Sequence, residues 1–221
     1  MGIPVTATLL DLLDPRERRE VLGGARRRRF RRGEVVFHEG DPGNSLHVVT
    51  AGHAAVKRTT PLGDVGILLV LGPGDLFGEL AELATANRNA TVACLDSLET
   101  LVVPYSTFAA LRAANPRVDR FLVERLAAEV RRLSAALMEA LYLPVERRLL
   151  RRLADLARVF GPGPDGSVTI PVTQEELAHM VGATRPTTNQ LLKEAESAAV
   201  LRLGRGRIVI PDLLAFEQRA G

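Results

Sequence analysis

Cysteine is nearly absent from this chain: Cys94 stands alone among 221 residues. A single thiol excludes an intramolecular disulfide, an iron–sulfur cluster and a thiolate-rich structural zinc site. Cys94 itself is expected to be a small buried hydrophobe in a strand. His38, His47, His53 and His179 are scattered without metal-ligand spacing, so each is expected on the surface or satisfied in the core, and no metal is expected. No apolar run approaches the about 20 residues that a membrane span needs. The LLDLL segment near Met1 is too short and too acidic for a signal peptide. A soluble cytoplasmic protein with no membrane partner is expected. Internal repeats and low-complexity tails are missing. So are a P-loop, a nucleophile–base pair and a metal cluster, which makes an enzyme the least expected class. A net charge of only +3 permits nucleic-acid binding without demanding it.

What is present is enough apolar sequence, 46 %, for real cores, on a length that fits two small domains. From Ala25 to Val103 glycines punctuate short apolar or alternating runs such as EVVFHEG, SLHVVTAG, AAVKRT and GILLVL. Many short strands separated by turn signals predict an antiparallel barrel or roll. Asp41-Pro42-Gly43-Asn44 is one such turn. The run Arg26 to Arg32 has the look of a nucleic-acid patch, but its position at the start of this region favours an exposed first strand leading into a turn at Gly33.

The character changes from Asn115 to Leu143, where glycine disappears. Leu122, Leu126, Val130, Leu133, Leu137 and Leu141 recur at steps of three and four. They form one stripe of a long helix. A seam so narrow suits a coiled-coil partner, so part of the helix is expected on its own domain and the seam against a second copy. Leu143-Pro144 breaks the pattern, because a residue before proline is pushed out of helical geometry, and a hinge is expected there. A further helix over Val145 to Phe160, a GPGPDG loop and a short strand over Ser167 to Val172 follow.

The next stretch reads as helix, tight turn, helix and β-wing. Thr173 and Glu176 form a capping box. Leu177, Met180 and Val181 give the first helix an apolar face, and Gly182 sits where its C-terminus needs a left-handed residue. Thr184 can cap the second helix, and Pro186 is tolerated in its first turn. Leu191, Leu192, Ala195 and Ala199 are expected to supply its buried side. Leu201 to Ile210 reads as a hairpin around Gly204-Arg205-Gly206. The set matches the DNA-binding helix-turn-helix, whose second helix enters the major groove.

A second site lies in GPGDLFGELAELATANRNATV, Gly72 to Val92. Gly78 lets backbone amides come close to a ligand at the start of a short helix. Glu79 can accept from a ribose hydroxyl, and Arg88 can offer a bidentate fork to a phosphate.

These residues together resemble the cAMP receptor protein/FNR (Crp/Fnr) family of bacterial transcription regulators. The resemblance runs from about Leu9 to Val209 and rests on F-H-E-G-D at Phe37 to Asp41, G-E-L at Gly78 to Leu80, R-x-A at Arg88 to Ala90, and TQEELAHMVGATR. It implies an α+β fold: a cyclic-nucleotide-binding-type β-roll (antiparallel jelly roll) over 1–112, a long dimerisation helix over 113–143 and a winged helix-turn-helix over 144–221. It also implies a homodimer that binds near-palindromic double-stranded DNA, is gated by cAMP or a related nucleotide, and recruits or blocks RNA polymerase. Gly78, Glu79 and Leu80 match the phosphate-binding cassette. Glu79 would hold the ribose, Arg88 would pair with the phosphate and the Ala90 amide would add a donor. Asn89 stands where Ser, Thr or Ala is usual. Leu133-Ser134 stands where cAMP-responsive members often present Thr-Ser or Thr-Asn to the adenine, so one hydroxyl of the base pocket is missing. The cysteine cluster of oxygen-sensing members is absent.

Arg185 matches the arginine that reaches a guanine. Pro186 replaces a frequent glutamate and Gln190 a frequent arginine, so a different half-site is expected. Thr173, Thr184, Thr187, Thr188 and Asn189 are further candidates for DNA contact, and Lys193, Arg205 and Arg207 are expected on phosphates. Two other readings stay open on the sequence: a regulator with a vestigial or non-cAMP pocket that binds DNA constitutively, and a cyclic-nucleotide sensor acting through protein contacts.

Overall fold

The computed structural model describes residues 8–84 and 86–220. Residues 1–7 of the expected roll domain and Thr85 of the cassette stretch lie outside that description. The chain divides into two compact units. One holds the described residues through Val56 together with Leu71–Ser134, and the other holds Lys57–Val70 and the residues from Ala135 on.

The chain opens with a 3₁₀ turn, Leu9–Leu12, and α1, Pro15–Gly24. Asp14 caps α1 by accepting from the amides of Arg16 and Glu17, while Glu17 returns the bond to the Asp14 amide. Short strands follow: β1 (Arg26–Phe30), β2 (Val35–Phe37), β3 (Ser45–Ala51), β4 (Ala54–Thr59), β5 (Val65–Leu71) and β6 (Leu76–Phe77). Then come α2 (Glu79–Leu83), β7 (Thr91–Cys94), β8 (Leu98–Pro104) and α3 (Tyr105–Ala114). The strands form two four-stranded sheets, ordered β1-β8-β3-β6 and β2-β7-β4-β5. The pairing is antiparallel, with β8 central between β1 and β3. The expected mixed fold with an antiparallel roll is therefore present.

β1 is an edge strand whose four arginines, Arg26 to Arg29, are all exposed. Arg27 and Arg29 pair with Glu99, and Arg28 lies 4.7 Å over the Phe30 ring. Charge on an edge strand discourages pairing with another chain. Cys94 is buried at the end of β7, and burial pushes its thiol up to about 11.

α4 runs unbroken from Pro116 to Tyr142. Its first turns carry Val118, Phe121 and Leu122 into a core shared with Leu46, Val103 and Phe108. Beyond them the apolar side chains are exposed: Val123, Val130, Leu137 and Leu141 are each about 60 % accessible. Leu122, expected in the seam, thus belongs to the roll's own core, and the exposed apolar stripe starts at Val123 instead. The slip of one residue arises because both neighbours are apolar and a stripe of threes and fours fits either.

α4 stops before Leu143-Pro144, as the proline predicts, and α5 spans Val145–Phe160. Arg148 of α5 donates to the carbonyls of Ala140 and Leu143, and Arg151 pairs with Glu139 at 3.0 Å. These bonds satisfy carbonyls that the helix end would leave open. The remaining elements are β9 (Val168–Ile170), α6 (Gln174–Val181), α7 (Arg185–Ser197), β10 (Arg202–Gly204), β11 (Arg207–Ile210) and α8 (Leu213–Ala220). No helix among the described residues is long and apolar enough to cross a membrane.

Candidate effector and nucleic-acid sites

The cassette is assembled around one buried arginine. Gly78 ends the short β6–α2 connection with φ +86°. A Cβ there would overlap Arg88 Nη1, so only glycine suits both the backbone and the packing. Arg88 is 5 % exposed. Its Nη1 donates to the Gly78 carbonyl and to the Tyr105 hydroxyl, both at 2.9 Å, and its Nη2 donates to the Ser45 carbonyl at 2.7 Å. The Tyr105 hydroxyl donates to the same Gly78 carbonyl at 2.6 Å. The guanidinium also lies 4.0 Å over the Phe37 ring.

The backbone of Arg88 is fixed by the F-H-E-G-D segment. Its amide donates to the Asp41 carbonyl, and its carbonyl accepts from the Gly40 amide. The residues that motif reading singles out separately are thus one hydrogen-bonded unit. Tyr105 belongs to that unit as well, and no spacing in the sequence announces it. Gly43 makes room for it, since a Cβ there would meet the phenol oxygen at 2.7 Å.

The expected fork is therefore partly engaged by protein carbonyls. What remains is Nε, which is buried and has no hydrogen-bond partner among the described residues. Burial opposes the charge on Arg88, with Tyr105, Glu79 and Asp41 acting the other way. An arginine does not deprotonate under ordinary conditions, so a positive charge stays buried here with an N–H to spare. An anion satisfies both needs. Glu79 opens α2. Burial raises its carboxyl, Arg125 and Arg88 pull it down, and Glu129 pushes it up. Leu80 is half-buried, Ala90 is buried and Asn89 is exposed. On α4, Leu133 is exposed, and the Ser134 hydroxyl donates to the Val130 carbonyl of its own helix.

Beneath the arginine, His47 stacks on Phe77 at 4.9 Å and bonds Thr100 at 3.1 Å. Burial, with help from Arg88 and Arg28, brings its pKa down to about 3. His47 is a satisfied core histidine, as expected.

In the second unit the capping box is present: the Glu176 amide donates to Thr173 Oγ1, and the Thr173 amide to Glu176 Oε2. Gly182 ends α6 in the left-handed region. Thr184 caps α7 through the Thr187 amide, and Pro186 sits in the first turn. α6 and α7 therefore form the expected helix pair. Arg185, Pro186, Thr187, Gln190 and Lys193 are exposed on α7, and Asn189 is half-buried. The Gln190 amide donates to Glu194 at 3.1 Å, one turn on. Pro186, Asn189, Gln190 and Lys193, together with Ser197 and Ala198, line an open groove along the helix. Arg205 and Arg207 are exposed on the β10–β11 hairpin. The Leu203 amide of that hairpin donates to Glu196 of α7 at 2.7 Å, which fixes wing to helix.

Two expectations fail here. Thr188 is fully buried, so it faces the domain core and not DNA. It shares an i, i+4 stripe with Leu192, which is also fully buried, and that spacing was the available signal. Ala199 does not pack on α7's buried side either. The helix ends at Ser197, and Ala199 is exposed with φ +56°.

Comparison with known proteins matches the geometry. A cyclic nucleotide-binding domain model matches residues 27–115, and a Crp-like helix-turn-helix domain model matches residues 147–219. The chain is 31 % identical over 193 residues to the CRP-like cAMP-activated global transcriptional regulator of Mycobacterium tuberculosis, covering 86 % of each. It is 29 % identical over 208 residues to the cyclic AMP receptor protein of Thermus thermophilus, covering 94 % of each. Among solved structures, the c-di-GMP responsive global regulator CLP of Xanthomonas campestris superposes with a TM-score of 0.75 at 22 % identity, over 89 % of this chain and 99 % of that one. At that identity the likeness establishes the fold.

Proposed function

Because the chain belongs to the Crp/Fnr family of DNA-binding transcription regulators, we propose that it responds to a cyclic nucleotide held at the cassette and that cAMP is its first candidate effector. The observation that carries this reading is the buried Arg88, whose Nε has no hydrogen-bond partner among the described residues. A cyclic phosphate there meets the spare N–H and offsets the buried charge. Glu79, at the start of α2, accepts from the ribose hydroxyls, and the Ala90 amide faces the phosphate. Gly78, Leu80 and Asn89 complete the cassette. Leu133 and Ser134 lie toward the base. With leucine in place of a hydroxyl, discrimination between adenine and guanine rests on fewer hydrogen bonds. The names of the two relatives put cAMP ahead of other nucleotides.

The protein works as a homodimer in this reading. The exposed stripe Val123, Leu126, Val130, Leu133, Leu137 and Leu141 pairs with its copy. The roll to about residue 112 is the effector domain, 113–143 the dimerisation helix and 144–221 the DNA-binding domain. α7 enters the major groove. Arg185 reads a guanine, and Gln190 reads an adenine once its amide leaves Glu194. Thr173, Thr184, Thr187, Lys193, Arg205 and Arg207 meet the backbone, which sets affinity and salt dependence. Two-fold symmetry gives a near-palindromic site. RNA polymerase is the partner through which bound protein acts on transcription. Effector binding shifts the dimer between two arrangements about Leu143-Pro144, which requires one arrangement to bind the effector more tightly.

Calorimetry with cAMP and cGMP on the purified protein tests the reading, with Arg88→Ala as control. Binding by the parent that the variant loses is the expected result. Absence of binding in the parent, beside sequence-dependent DNA binding, would replace this reading with a constitutive regulator.

A further inference from the structure

We infer that Arg112 is a positioning residue that ties the effector cassette to the long helix, so that α3 reports the cassette's state to α4. This rests on the effector reading above and names the contact through which that effector is felt. Arg112 lies in the last turn of α3. Its Nη1 donates to both carboxylate oxygens of Glu82 on α2, at 3.2 and 3.0 Å, and its Nε donates to Asp119 on α4 at 2.6 Å. One planar guanidinium thus bridges two carboxylates on two different helices, its fixed fork of donors holding each in a set direction.

The Glu82 half of the bridge is sheltered. The Glu82 and Arg112 side chains are 16 % and 29 % exposed, so salt and water weaken it less than an ordinary surface pair. Burial would lower the Arg112 pKa, yet it is raised: the hydrogen bond to Asp119 leads, and the Glu82 charge adds to it.

The other end of α3 grips the cassette as well. Tyr105, its first residue, holds the Gly78 carbonyl and Arg88. A ligand that draws Arg88 or moves α2 therefore acts on α3 at both ends, and Asp119 is where α4 feels it. Glu82, Arg112 and Asp119 carry no ligand contact of their own in this scheme, so their removal separates coupling from binding.

The test uses the full chain without ligand first. Amide hydrogen exchange of residues 79–84 is measured in the parent, Arg112→Gln, Asp119→Ala and the double variant. Both single changes are expected to speed exchange of that segment by about fivefold or more, with the double adding nothing. Asp119 is half exposed, so Asp119→Ala keeps the test intact even where Arg112→Gln unfolds. An unchanged α2 in Asp119→Ala, or additive effects, would overturn the inference. In a second arm cAMP is titrated, and DNA affinity is measured on a duplex selected by the parent from a random pool. Asp119→Ala should bind cAMP as the parent does while its cAMP stimulation of DNA affinity falls about fivefold or more; equal stimulation overturns the coupling. A parent that binds neither cAMP nor cGMP refutes the effector reading, and the exchange arm still decides the bridge.

Discussion

The cassette and the recognition helix carry similar side chains and dispose of them in opposite ways. Each holds an arginine, a side-chain amide and a hydroxyl. In the cassette Arg88 is buried and its terminal nitrogens are consumed by the carbonyls of Gly78 and Ser45 and by Tyr105. On α7, Arg185 and Thr187 are exposed beside the groove, and Gln190 is engaged by Glu194. The first arrangement suits a small anion that must be desolvated and held tightly. The second suits a large hydrated polyanion that is read along one helix face. The difference follows from the elements. A glycine-rich turn between strands brings backbone close around a side chain, whereas a capped helix projects every third or fourth residue outward.

The largest expected effect breaks the comparison at the buried end. His47, beneath Arg88, is neutral in the fold because burial brings its pKa down to about 3, whereas an unfolded histidine titrates near 6.5. The unfolded chain therefore binds the proton first. The stabilisation is fully present above pH 6.5 and is lost as the pH falls from there toward 3. A tenfold difference in proton affinity between the two states is worth about 1.4 kcal/mol, so this one site makes the roll lose a few kcal/mol across that window. Thermal melts of the parent and His47→Gln between pH 7 and pH 4 measure it: the variant should be the less stable at pH 7 and show a flatter decline. Parallel declines would remove His47 as the cause.

Next in size are the two arginines. Arg185→Ala should weaken binding to a selected duplex by about 1–3 kcal/mol and relax preference at one base pair, leaving nucleotide binding as it was. Arg88→Ala should do the reverse, removing nucleotide binding while ligand-free affinity for the same duplex holds. Fluorescence anisotropy on DNA together with calorimetry on nucleotide checks both. If each variant lost both activities, the division of labour between the two sites would fall.

Gly78→Ala probes the tight backbone of the cassette. At φ +86° an alanine is strained by about 1–3 kcal/mol, and its Cβ would also displace Arg88 Nη1. A drop in melting temperature with loss of nucleotide binding is expected. Gly33, equally left-handed but with nothing within 4 Å of an added Cβ, is the control: Gly33→Ala should show the strain alone.

Much of this fold was legible because its signals are local. The Thr173–Glu176 box, Gly182 and Pro186 mark the ends of α6 and α7, and each acts within one turn of itself. The F-H-E-G-D and G-E-L motifs were legible as well, but their contact was not. Arg88 meets Gly40, Asp41 and Ser45 only after β2, β3 and β7 have been brought together. Tyr105 was missed for the same reason, since its partner Gly78 lies 27 residues away. Leu122 was misplaced on a different ground. An apolar stripe on a helix tells which face is dry and not what dries it, and here the first turns of α4 are covered by the roll's own core.

Thr188 gives the smallest effect and the sharpest division between the two faces of α7. A hydroxyl reaching DNA would lose affinity when replaced by a methyl. The Thr188 side chain is instead fully buried, and its Oγ1 finds no partner among the described residues. Replacing an unsatisfied buried hydroxyl by an apolar group of the same shape removes a desolvation cost. Thr188→Val should therefore leave DNA affinity unchanged and stabilise the winged domain by up to about 1 kcal/mol. Its β-branch keeps the rotamer of the original side chain, so packing against Leu192 is preserved. Thr187→Val, one residue earlier and exposed, is the partner experiment. It should leave stability nearly unchanged and weaken DNA binding, since the hydroxyl it removes lies on the exposed face proposed to meet the phosphates. Reversed results, with Thr188→Val weakening DNA binding and Thr187→Val silent, would turn the helix by about 100° and move the reading face with it.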